Sequence, residues 1–135
     1  MCYSPCVMAN ELVGWIGILA GFLSGAALGL GFRSEDWLGG YASWPRRLLR
    51  LGHIALVALG ALNLLVAHSL QRLTFDDAGR VLASGCFIFG GLAMPTACFL
   101  AAWRKGLYPA FFPAVAALIT GAVVMLLGAW RSLAP

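Results

Sequence analysis

Of the 135 residues, 61% are hydrophobic and only 10% charged, and the mean hydropathy is +0.89. A soluble domain carries about 45–50% apolar and about 25% charged residues, so there is too little polar surface here to coat a water-facing globule, and a membrane protein is implied. The net charge of +4 reads as an orientation signal within such a protein rather than as a nucleic-acid footprint.

Runs free of Asp, Glu, Lys and Arg predict four spans: Leu12 to Phe32, Leu51 to Leu70, Val81 to Trp103 and Ala110 to Trp130. At about 1.5 Å per residue each is long enough to cross a hydrocarbon layer about 30 Å thick as an α-helix. Backbone polar groups in lipid must be satisfied within the segment, so an all-α, integral membrane four-helix bundle is expected. No linker or composition shift divides the chain, which reads as one domain over residues 1–135. The first span is too long and glycine-rich for a secretory signal and lacks a basic lead, so no cleaved leader is expected.

Lys and Arg near the span ends set the orientation. The first and third loops hold Arg33, Arg46, Arg47, Arg50, Arg104 and Lys105, against Arg72, Arg80 and Arg131 elsewhere. Six against three places both termini on the outer, periplasmic side of a bacterial inner membrane. Trp15, Trp103, Tyr108 and Trp130 fall at span ends, where amphipathic rings favour the headgroup level. Pro45 suits the first turn of the second helix, and Thr74 with Asp77 resembles a capping box for the third.

The first span carries Gly17, Gly21, Gly25 and Gly29 at successive i+4 positions. Small residues at this spacing form a glycine zipper along which another helix, in this chain or in a partner, approaches closely. Pro95 deprives the Gly91 carbonyl of its donor and predicts a kink in the third helix, with Thr96 placed to satisfy freed groups. Ala117, Gly121, Met125 and Gly128 read as a small-residue face on the fourth.

Only His53 and His68 within the spans change charge readily near neutral pH, and both lie on the second helix. On a helical wheel His53, Gly60, Asn63, Ala67, His68 and Gln71 share one broad face, expected to point into the bundle, whereas Ile54, Ala58, Ala61, Leu62 and Leu65 take the other. The histidines stand about 22 Å apart along the axis, so one cofactor cannot use both. Aligned by depth, His53 comes level with Cys98, and His68 with Ser84 and Cys86, while Met94 lies nearer the middle. His53, His68, Asn63 and Met94 are therefore the candidate ligands for a b-type haem or a quinone. Arg46, Arg47 and Arg50 stand beside His53 as partners for propionates or anionic lipid headgroups. Asp76 and Asp77 read as helix caps. Cys2 and Cys6 flank Pro5 on the outer side, where oxidation permits a disulfide, and Cys86 and Cys98 read as apolar fillers. No metal site, hydrolytic triad or phosphate loop is evident.

In size the chain resembles the small multidrug transporters, but Glu11 lies at the outer end of the first span with no carboxylate inside it. The run Ser24-Gly25-Ala26-Ala27-Leu28-Gly29-Leu30-Gly31-Phe32-Arg33 resembles the glycine-rich first span of dual-topology fluoride channels, but the six-to-three charge bias disfavours dual insertion. Neither family is assigned. The functional expectation is a non-catalytic accessory or assembly subunit of a larger inner-membrane complex, respiratory or photosynthetic, that meets other subunits or itself through glycine-rich faces. The alternatives are an electron-transfer subunit that binds b-haem or quinone at His53, and a small homo-oligomeric transporter with a path along His53, Asn63 and Pro95.

Overall fold

The computed structural model describes residues 4–133. Four long helices account for most of them: α1 (Pro5–Gly31), α2 (Trp44–Arg72), α3 (Asp77–Trp103) and α4 (Phe111–Leu133). Each is long and apolar enough to cross a membrane. The helices outrun the apolar spans because hydropathy marks the hydrocarbon, whereas a helix continues through the headgroups once its ends are capped. Pro5 opens α1, and α2 opens at Trp44-Pro45 behind Ser43, whose hydroxyl accepts from the Arg46 N–H.

Thr74 does not cap α3. Asp76 is the N-cap and accepts from the Gly79 N–H at 3.3 Å, while the Thr74 N–H donates to the Ser132 hydroxyl at 2.8 Å. Aspartate is the better cap, and starting two residues later lets Phe75 fill the space left by Gly128. Helix α3 runs unbroken through Pro95, and the Thr96 hydroxyl donates to the Leu92 carbonyl at 2.6 Å rather than to Gly91. The third connection is itself wound into a 3-10 segment, Lys105–Ala110.

The helices pack as an open row. Helix α2 lies against α1 and α3, α1 also touches α3, and α3 is the one helix against which α4 packs closely. Two apolar clusters, each drawn from several helices, lie toward opposite ends of the helix axes. Val7, Val66, Ala67, Leu70, Ala83 and Phe87 gather at the end with the termini. Leu28, Leu48, Leu49, Ala101 and Ala102 gather at the basic end, under Trp37, Trp44 and Phe111.

The seam of α1 departs from the expected i+4 row. Its buried positions Val7, Gly14, Gly21 and Leu28 recur every seven residues, with Asn10 between. A residue four further on turns about 40° around the axis, so the row from Gly17 to Gly29 swings through about 120° and leaves a straight seam, whereas a seven-residue repeat nearly keeps its face. Gly17 and Gly21 meet α2 around Leu56, Val57 and Gly60, and Gly25 meets His53, but nothing lies within 4 Å of where a Gly29 Cβ would stand. Helix α4 follows the same rule: Ala114, Gly121 and Gly128 are buried, Gly121 against Cys86 and Phe87 of α3 and Gly128 against Phe75 of the second loop. Within α2, Gly60 is the point of closest approach: its absent Cβ would lie 2.8 Å from the Gly14 carbonyl oxygen.

Candidate functional site

His53 is half-buried on the α1 side of α2. Its Nδ1–H donates to the Gly21 carbonyl at 2.8 Å, and the Ser24 hydroxyl, itself donating to that carbonyl at 2.9 Å, lies 3.4 Å from Nδ1. Gly25 makes the room, since a Cβ there would come within 2.5 Å of the imidazole Cε1. The glycine row of α1 therefore does two things here: it brings the helices together and exposes a carbonyl that fixes the ring. With Nδ1–H so engaged, the neutral ring presents Nε2 as its lone-pair atom, and no hydrogen bond among the described residues reaches it. The ring borders an open apolar groove of about 390 Å³ lined by Phe22, His53, Ile54, Val57 and Ala58.

The other candidates are elsewhere. Asn63 is buried on the α3 side, where its amide donates to the Phe87 carbonyl at 3.1 Å and to Leu59 at 2.9 Å, in space cleared by Gly91. Met94 is half-buried on α3 and takes no part in the groove. His68 and Gln71 are exposed and do not face the interior as expected. The polar face proposed from the wheel is about 140° wide; α1 and α3 divide its middle between them, and His68 falls outside both. His53 and Asn63 thus face different neighbours. Among the described residues no three His, Cys, Asp or Glu side chains gather as metal ligands. The Cys2–Cys6 pairing involves Cys2, outside the described residues.

Two buried polar groups stand out, one absent from the sequence reading and one whose burial that reading does not foresee. Asn10 is fully buried and its amide donates to the Cys6 carbonyl at 2.8 Å and to the Ser84 hydroxyl of α3. Its place on the 10-14-17-21 stripe of α1 is the signal that marks it. The second is Arg46, only 5% exposed, although its sequence position groups it with Arg47 and Arg50 as a headgroup-level cation. Arg47 is exposed. Arg50 lies over the Tyr41 ring at 4.0 Å and donates to the Tyr41 carbonyl.

No family model matches this chain, and no curated protein or solved structure matches it either.

Proposed function

We propose that this multi-pass membrane protein is a non-catalytic accessory or assembly subunit of a larger energy-transducing complex, respiratory or photosynthetic, in a bacterial inner membrane. The charge bias of the loops supports termini on the periplasmic side. The carrying observation is the third side of α2, which neither α1 nor α3 covers. There Leu51, Ile54, Ala58, Ala61, Leu65, His68 and Arg72 are all exposed, at alternating spacings of three and four. That is the repeat by which one helix receives another, with alanines at mid-membrane, where small residues permit close approach. The occupant inferred is a transmembrane helix of a neighbouring subunit. Gly14, Gly17, Gly21 and Gly25 of α1 are engaged with α2 of this chain, which favours α2 over them as the partner-facing surface.

Ala61→Leu is expected to reduce co-migration with the complex on native gels at least about tenfold, while the unfolding midpoint of the isolated protein stays within about 0.5 kcal/mol of wild type, as for a surface change. Unchanged co-migration would count against the reading.

The fixed ring of His53 favours a second reading, a b-haem or quinone site for electron transfer. A ligand histidine is commonly oriented by a hydrogen bond from its other nitrogen to a carbonyl, and the groove's volume falls in the range of small-molecule sites. A quinone ring suits it better than a haem, since neither His68 nor Met94 is placed as a second axial ligand. His53→Gln is expected to remove bound quinone or visible haem absorption from the purified protein without affecting co-migration. Unaltered cofactor content would end this reading and leave the first standing.

A further inference from the structure

Arginine 46 stands on the first turn of α2 at the basic end of the helices, and its burial is hard to reconcile with its surroundings. Among the described residues one of its five N–H groups is used, Nη1 donating to the Glu35 carbonyl at 2.9 Å, and the buried Nε has no partner. The guanidinium carbon lies 4.8 Å from the Phe32 ring centre, 5.7 Å from Tyr41 and 5.9 Å from Trp37. Ring faces attract a cation but accept none of its hydrogen bonds. Among the described residues the one ion pair is Arg131 with Asp76, so no carboxylate lies within 4.0 Å of Arg46. A buried charge without a counter-ion is strongly disfavoured. No carboxylate of the described residues neutralises it by direct contact, which leaves its spare N–H groups open to a ligand.

The place for it is a cavity of about 490 Å³ lined by Arg46, Tyr41, Glu35 and Asp36. A plain anion suits the arginine but meets two carboxylates, neither of them ion-paired. A ligand that carries a phosphate and, a few ångströms away, a primary ammonium satisfies both halves: the phosphate takes the spare N–H groups of Arg46, and the ammonium donates to Glu35 and Asp36. A quaternary ammonium has no N–H to give them, and the face of Tyr41 is already flanked by Arg46 and Arg50. The cavity lies between the first loop and the start of a membrane-length helix, among the aromatic side chains typical of the headgroup level.

We propose that this cavity is a binding site for the phosphoethanolamine headgroup of a membrane phospholipid, with Arg46 holding the phosphate and Glu35 and Asp36 the ammonium. The site is independent of the His53 groove and of the α2 docking stripe.

The test uses the full chain, delipidated in detergent and titrated in native mass spectrometry with phosphatidylethanolamine, phosphatidylcholine and phosphatidylglycerol of matched acyl chains. Wild type is expected to bind the ethanolamine lipid at least about tenfold more tightly than either of the others. Arg46→Gln is expected to reduce it to the level of the choline lipid. The double variant Glu35→Gln, Asp36→Asn keeps Arg46 and the Glu35 carbonyl, so it tests the site even if Arg46→Gln does not fold; it is expected to bind phosphatidylglycerol at least as well as phosphatidylethanolamine. Equal affinity of wild type for the three lipids, or an ethanolamine preference that survives the double variant, would overturn the proposal. So would displacement of the lipid by millimolar inorganic phosphate or free phosphoethanolamine, which would assign the cavity to a soluble ligand.

Discussion

Gly60→Val is expected to destabilise the protein by about 1–3 kcal/mol or somewhat more, the range for overpacking a close contact. The absent Cβ of Gly60 would stand 2.8 Å from the Gly14 carbonyl oxygen and 2.9 Å from the Ile18 nitrogen. Both are backbone atoms, which cannot rotate aside as a side-chain tip can, so α1 and α2 must separate along their length. Separation loosens the Gly17 and Gly21 contacts and withdraws the Gly21 carbonyl from His53. In lipid no hydrophobic drive restores the lost packing, since the tails are as apolar as the side chains. The readout is the midpoint of unfolding in a detergent-to-SDS titration. Gly29→Ala is the control: it belongs to the same i+4 row but meets open space, so it should stay within about 0.5 kcal/mol of wild type. Equal losses at the two positions would refute a seven-residue seam and restore the i+4 row.

The helices were legible from sequence because each span must satisfy its own backbone in lipid, which reduces the problem to finding apolar runs of sufficient length. Their faces were less so. The α1 row of four glycines has the right spacing for one seam, but its drift around the axis becomes decisive only beyond three turns, and so it misplaces Gly29 alone. On α2, the histidine and the asparagine could be assigned to the interior, but not to different neighbours, because a wheel orders residues by angle without saying where the adjoining helices stand. Arg46 was the least legible. Its burial depends on the first loop, where Leu38 at φ 56° and Gly39 and Gly40 at φ 84° and 87° turn the chain back, so that Trp37 and Tyr41 close over the start of α2. No periodicity announces such a turn. Only the run of glycines hints at it.

Helix α4 gives the second large effect, because so little holds it. Its buried positions are Ala114, Gly121 and Gly128, a single stripe that meets α3 at Gly121 and the second loop at Gly128, with Leu118 and Met125 packed beside it. At Gly121 a Cβ would lie 3.0 Å from the Cys86 Cβ and 3.0–3.1 Å from the Phe87 ring. Phe87 cannot yield readily, since it is itself 5% exposed and wedged with Val66, Leu70 and Ala83. Gly121→Leu therefore forces α4 outward and is expected to cost about 1–3 kcal/mol, lost by α4 first. In hydrogen exchange the amides of 111–133 should lose protection ahead of α1 and α2, as a locally opening unit. Val123→Leu, on the exposed side of α4, should leave the pattern unchanged. The contact of Phe75 with Gly128 and the Thr74 to Ser132 hydrogen bond tie the far end of α4 to the second loop, so opening should begin at the basic end. Uniform loss of protection over all four helices would mean that the seam between α3 and α4 is part of one cooperative core, and that the open row behaves as a closed bundle.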